Sequence, residues 1–241
     1  MAEKKKDAKL LAEFPPVTTE QWESAIRVDL KGADYEKKLV WKTMEGINVK
    51  PYYRAEDLKN IDFARVYPGE FPYVRGNKEQ GNNWLIRQDF DVVNDANQKA
   101  HELLSKGVDS LGFRLCKACE PSLDGVSKLL KGIDFEKVEI NFIGGGKTRK
   151  ALPFIIKALN DSKADKKKVK GSIDYSPLSG LTVNGKFCCD AEKSFSNMKE
   201  AIESIHEYPQ FKVIGVNGYI FNNSGSSLVQ ELAFSLSMAN D

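Results

Sequence analysis

The stretch VEINFIGGGKTRKALPFIIKALNDSKADKKKVKGSIDY, from Val138 to Tyr175, reads as strand, turn, helix, basic loop and strand. Val138 to Ile143 is a short apolar run, and Gly144, Gly145 and Gly146 interrupt it. Thr148 to Ser162 places apolar residues at helical spacing, and Gly171 to Tyr175 resumes a β-rich run. A strand, a helix and a second strand in so short a span imply a right-handed crossover between parallel strands.

The same alternation extends in both directions. Further strands are expected at Trp84 to Phe90, Ser110 to Leu115 and Lys212 to Val216. Helices are expected at Val93 to Lys106, Leu123 to Lys131, Glu192 to His206 and Ser226 to Met238. Five β/α units suffice for a doubly wound sheet and fall three short of a closed barrel. The last helix carries Leu232, Phe234, Leu236 and Met238 almost to the final residue, which favours an α/β fold of incomplete TIM-type barrel class.

Before this region the pattern is irregular. Residues Met1 to Lys9, with Lys4, Lys5 and Lys6, read as a solvated tail. Thr18 or Thr19 can cap a helix from Glu20 to about Leu30, and Leu39 to Val49 suggests a hairpin around Glu45 and Gly46. Tyr52 to Asn83 is rich in turn formers. The expected division is an N-terminal helix and hairpin arm, residues 1–55, serving partner contact, and a partial barrel, residues 56–241.

Composition excludes several classes. Of the 241 residues 41% are hydrophobic and 29% charged, and 36 basic side chains against 34 acidic ones leave a formal charge of +2. That balance offers no bulk electrostatic drive toward nucleic acid or membrane. No apolar run reaches the roughly 18 to 20 residues of a membrane span, and the start lacks a secretory pattern, so a cytoplasmic protein is expected. Cys116, Cys119, Cys188 and Cys189 are then expected as thiols. A zinc site is disfavoured because neighbouring side chains such as Cys188 and Cys189 point apart in an extended segment.

Gly144 to Thr148 lies where a strand meets a helix, so backbone N–H groups and the helix dipole could hold a phosphate, with Lys147 and Thr148 beside it. It is not a Walker A loop, since Asn141 stands where that motif needs its first glycine. A tight turn with a basic helix start explains it equally. His101 and His206 lack partners at ligand spacing and read as surface residues. Lys163 to Lys170 reads as a solvated loop at the N-terminal ends of the strands. Asp89, Asp91 and Asp174 fall near strand C-terminal ends, where paired carboxylates could do acid/base work, though Asp91 could equally cap the following helix.

Separated segments carry a family resemblance. Phe14-Pro-Pro-Val-Thr-Thr-Glu-Gln-Trp22, Val49-Lys-Pro-Tyr-Tyr-Arg-Ala-Glu-Asp-Leu58, Pro68-Gly-Glu-Phe-Pro-Tyr-Val-Arg-Gly76, Trp84-Leu-Ile-Arg-Gln88, Leu130-Lys-Gly-Ile-Asp134, Gly218-Tyr219 and Val229-Gln-Glu-Leu-Ala-Phe-Ser235 resemble, in order, the N-terminal half of methylmalonyl-CoA mutases. The resemblance implies a barrel with the CoA thioester along its axis. It also implies a separate C-terminal domain that presents adenosylcobalamin for a radical interconversion of methylmalonyl-CoA and succinyl-CoA. The chain is expected to end before that domain, to contain no Asp-x-His-x-x-Gly segment, and to bind no cofactor itself.

Taken position by position, the resemblance implies lost contacts. After Arg87 and Gln88 an active-site tyrosine becomes Asp89. A glutamine becomes Asp174, an arginine that pairs with the substrate carboxylate becomes Asn184, and the histidine after the retained Tyr219 becomes Ile220. The loop Asn77 to Asn83 is also shorter than in catalytic members. Four changed contacts imply a small, non-catalytic subunit whose partner is a catalytic large subunit, with self-association as a further possibility. Residual substrate contacts would be Arg75, Arg87, Lys147 and Thr148. Two other readings are a CoA-thioester binding module without chemistry, and an enzyme of altered chemistry using Asp89 and Asp174.

Overall fold

The computed structural model describes residues 13–81, 83–115 and 120–241. The basic tail, Asn82, Cys116 and Cys119 lie outside them. The chain divides into two compact units between Glu79 and Gln80.

The first unit opens with α1 (Thr19–Asp29). Thr18 accepts from the Gln21 N–H at 3.2 Å and the Gln21 side chain accepts from the Thr18 N–H at 3.0 Å, a reciprocal cap that fixes the helix start. A short α2 (Tyr35–Leu39), capped by Asp34, precedes the expected hairpin of β1 (Trp41–Lys42) and β2 (Asn48–Val49). Lys50 pairs with Asp57 at 2.8 Å, and Arg54 donates to the Val17 carbonyl at 2.5 Å. The Lys50–Asp57 pair and a bond from Thr19 to Glu56 tie the segment after residue 55 to what precedes it, and the compact unit runs to Glu79.

The second unit is a five-stranded parallel sheet with its helices. In chain order it comprises β3 (Arg87–Asp91), α3 (Ala96–Ser105), β4 (Ser110–Arg114), α4 (Leu123–Leu130), β5 (Glu139–Ile143), α5 (Gly146–Ser162) and β6 (Gly171–Ile173). It continues through α6 (Pro177–Asn184), α7 (Ala191–Ser204), β7 (Phe211–Lys212), α8 (Tyr219–Asn223) and α9 (Leu228–Asn240). The strand order is β3-β4-β5-β6-β7. A doubly wound sheet reverses direction partway, whereas here each strand lies beside its predecessor, as along the wall of a barrel. The unit is therefore an arc of β/α barrel, and the crossovers place the intervening helices on one face.

That face holds the core. Phe90, Phe113 and Phe142 stand in register on β3, β4 and β5, with ring centroids 5.4 and 5.3 Å apart. Leu111, Ile140, Ile173 and Phe211 complete the buried face against Ala100, Leu129, Leu152, Ile155 and Leu159 of the helices. Gly171 is required here, because a Cβ would lie 2.2 Å from the Ile140 carbonyl oxygen and 2.6 Å from the Phe211 ring. Trp84, Leu85 and Ile86, expected as the start of the first strand, precede β3 and are exposed. Among the described residues no helix is long and apolar enough to cross a membrane.

Candidate functional site

Side chains alternate across a strand, so a sheet with one apolar face presents its other set of residues on the concave, axial side. Here that set is mostly polar: Arg87, Asp89 and Asp91 on β3; Ser110, Gly112 and Arg114 on β4; Glu139, Asn141 and the apolar Ile143 on β5; Ser172 on β6; and Lys212 on β7.

These groups satisfy one another. Ser110 donates to Glu139 at 2.6 Å, Asn141 donates to Glu139 at 3.1 Å and to Ser110 Oγ at 3.2 Å, and Ser172 donates to Asn141 Oδ1 at 2.6 Å. Arg87 Nε meets Asp89 Oδ1 at 2.7 Å, and Arg114 Nη2 stands 3.9 Å from Asp89 Oδ2. The Asp89 carboxylate occupies the space over Gly112, where an added Cβ would fall 1.8 Å from Oδ1. An ion pair thus lies across the axial face at the position where the resemblance implies a tyrosine. Below it, a cleft of about 500 Å³ is bounded by Arg87, Glu139, Asn141, Lys170, Ser172, Gln210 and Lys212.

At the turn from Gly144 to Thr148 the backbone N–H groups meet a carboxylate of the chain itself. Asp174 accepts from the Gly144 N–H at 3.0 Å and the Gly145 N–H at 2.8 Å, while the Thr148 hydroxyl donates to the Gly145 carbonyl at 2.6 Å and stands 3.3 Å from the carboxylate. Gly145, at φ 57° and ψ −123°, adopts a backbone that admits glycine readily, and Thr148 is wholly buried. The Asp174 carboxylate thus takes the backbone N–H groups that a phosphate at this turn would need.

The other candidates are dispersed. Asn184 ends α6 and donates to the Gly180 carbonyl at 2.9 Å, while Tyr219 and Ile220 begin α8. Arg75 belongs to the first unit and Arg87 to the second. Asp89 and Asp174 have separate partners, and Asp89 within β3 and Asp174 just after β6 belong to strands three spacings apart, on the order of 14 Å across the sheet, so they form no carboxylate pair. Asp91 does not cap the following helix, whose N-cap is Asp95. His101 and His206 are exposed and bond to the Lys131 and Glu203 carbonyls, each at 2.8 Å. The Lys163 to Lys170 loop is solvated, with Lys166 bridging to Glu207 and Lys168 to Glu136.

Sequence reasoning missed the surroundings of Tyr175. This side chain follows Asp174, is only 4% exposed and has the Arg149 guanidinium 6.0 Å from its ring centre. Burial pushes the Tyr175 hydroxyl above its ordinary pKa, with the Arg149 cation opposing. Cys188 and Cys189 also act on it electrostatically. The expectation that these cysteines point apart is overturned: the chain bends there and the sulfurs lie 3.8 Å from each other.

The methylmalonyl-CoA mutase family model matches residues 42–128 and 121–241. The methylmalonyl-CoA mutase small subunit of Porphyromonas gingivalis is 40% identical over 239 residues, covering 96% of this chain and 37% of that protein. The small subunit from Streptomyces virginiae is 28% identical, over 94% of this chain and 38% of its own length. The large subunit from the same organism is 24% identical, over 92% of this chain and 34% of its own. The chain therefore spans roughly a third of the length of the relatives it matches.

Proposed function

We propose, since the chain belongs to the methylmalonyl-CoA mutase family, that it is the N-terminal part of a non-catalytic small subunit. In this reading it pairs in the cytoplasm with a catalytic large subunit, and the complex interconverts methylmalonyl-CoA and succinyl-CoA. The observation that carries the reading is the self-satisfied axial face. Asp89 lies in an ion pair over Gly112 and Asp174 is turned into the Gly144–Gly145 backbone, so both carboxylates are committed to the fold.

The chemistry of the site favours scaffold over catalyst. Asp89 already holds the Arg87 guanidinium, so that cation is not free to pair with the carboxylate of a methylmalonyl or succinyl group. Asn184 cannot offer the charged, bidentate contact of a guanidinium, and the Ile220 side chain has no hydrogen-bond donor. Lost contacts of this kind each cost kilocalories of transition-state stabilisation.

Adenosylcobalamin, the cofactor the family implies, does not fit the described residues. The family's cofactor takes one histidine from the protein, and the two here, His101 on α3 and His206 just after α7, each bond to a backbone carbonyl of the helical layer. The cofactor in this reading is held elsewhere in the complex, and this chain contributes shape and contact surface.

Mixing the chain with the large subunit of the same organism tests the proposal. Co-elution is expected, together with no turnover of methylmalonyl-CoA by the chain alone supplied with adenosylcobalamin. Turnover by the isolated chain, or a chain that stays monomeric in the mixture, sinks it. CoA binding at Gly144 to Thr148 is the weaker reading, because a CoA phosphate would have to displace Asp174.

A further inference from the structure

The connection from α6 to α7 carries two thiols side by side. Adjacent residues of extended chain project to opposite sides, yet a bend at Cys188 and Cys189 brings their sulfurs to 3.8 Å. A disulfide bond spans only about 2.05 Å, so these are separate thiols, and both are free. Two thiolates on one tetrahedral d10 cation, at metal–sulfur distances of about 2.3 Å, lie about 3.8 Å from each other. The pair already has that spacing.

The surroundings hold the arrangement in place. Ser194 is wholly buried, donates its hydroxyl proton to the Asp190 carbonyl at 2.9 Å, and stands 3.2 Å from Cys189 Sγ. The Asp190 carboxylate is engaged as the α7 cap, accepting from the Lys193 N–H at 2.7 Å. Cys188 is exposed and Cys189 half-buried, so a cation can reach both sulfurs from solvent.

We propose that Cys188 and Cys189 form a bidentate dithiolate site for a thiophilic d10 divalent cation of the zinc class. The chain supplies two ligands, and solvent or donors from another molecule supply the rest. Among the described residues no third His, Cys, Asp or Glu side chain joins them. Binding releases one proton from each thiol, leaves the oxidation state of sulfur and metal unchanged, and strengthens as pH rises. Soft thiolate ligands select such cations over magnesium or calcium.

Alkylation in the full chain tests the site without any substitution. The reduced protein, held in a phosphine reductant, is treated with iodoacetamide with and without cadmium, and each cysteine is followed by peptide mass spectrometry. Cadmium is expected to slow Cys188 and Cys189 together, by roughly tenfold or more, because the second thiolate acts at intramolecular effective concentration. In a Cys188→Ser variant Cys189 should lose that protection while Cys116 and Cys119 react as before. Protection confined to Cys116 and Cys119, or protection of Cys189 that survives Cys188→Ser, overturns the proposal.

Discussion

The placement of Asp89 depends on the absence of a single carbon at Gly112. A Cβ there would collide with the carboxylate, so Gly112→Ala must push Asp89 out of its pair with Arg87. A loss of about 1–3 kcal/mol is expected, seen as a lower urea midpoint. Adding Asp89→Ala should recover part of it, since the two residues contact each other. An unchanged midpoint in Gly112→Ala would place the carboxylate elsewhere. Asp174→Ala leaves the Gly144 and Gly145 N–H groups without their acceptor and is expected to cost about 1–3 kcal/mol, with Asp174→Asn milder because one acceptor oxygen remains. Equal losses in the two variants would show that the backbone contacts do not stabilise the turn. Tyr208 gives a pH signature. Its hydroxyl donates to Asn160 at 2.8 Å, and burial raises its pKa above the ordinary value. A phenol whose pKa is raised on folding contributes stability that is whole below about pH 10, its unfolded value, and is lost as pH rises through the folded value. Thermal unfolding of Tyr208→Phe should therefore fall less steeply above about pH 10 than that of the parent chain, and parallel pH profiles would refute the assignment.

At the scale of elements, local signals were readable in the sequence and their spatial partners were not. The five strands and the helices α3, α4, α5, α7 and α9 lie where apolar periodicity and β-rich runs place them, with ends moved by a few residues. α6 was missed although Ser176-Pro177 opens it and Gly185, at φ 69°, closes it, because Gly180, Thr182 and Val183 give its interior weak helical character. The sulfur spacing of Cys188 and Cys189 was missed for a different reason: it comes from a bend that no extended-chain rule supplies. Asp174 was legible as a rim carboxylate, but the backbone that receives it lies 30 residues earlier, and only the strand pairing of β5 with β6 brings them together. The start of α1 shows the opposite case, where one short segment contains the whole device. Thr18→Ala removes half of the reciprocal cap and should destabilise α1 by about 1 kcal/mol. Faster hydrogen exchange confined to the first turn of α1 would register it, and unchanged protection there would count against the cap.

For the whole molecule the distribution of burial separates the two units. No described residue of the first unit is buried, whereas every buried apolar residue among those described belongs to the second, in its sheet, helices and the turns between them. Trp41 and Met44, on and beside the hairpin, remain 67% and 77% exposed. Large aromatic and methionine side chains in that state are the usual anchors of a protein interface, where a few of them carry most of the binding free energy. A unit without its own core gains most from docking, and the proposed large subunit supplies a surface for it. Replacing Trp41 and Met44 together with Ser should then weaken binding to that subunit by about 2 kcal/mol, roughly 30-fold in Kd. The urea midpoint of the chain alone should stay where it was, because neither side chain is part of the core. Measured side by side, the two quantities separate a docking surface from a folding defect: a shifted midpoint would assign both residues to the fold, and an unchanged Kd would move the contact to another face of the chain.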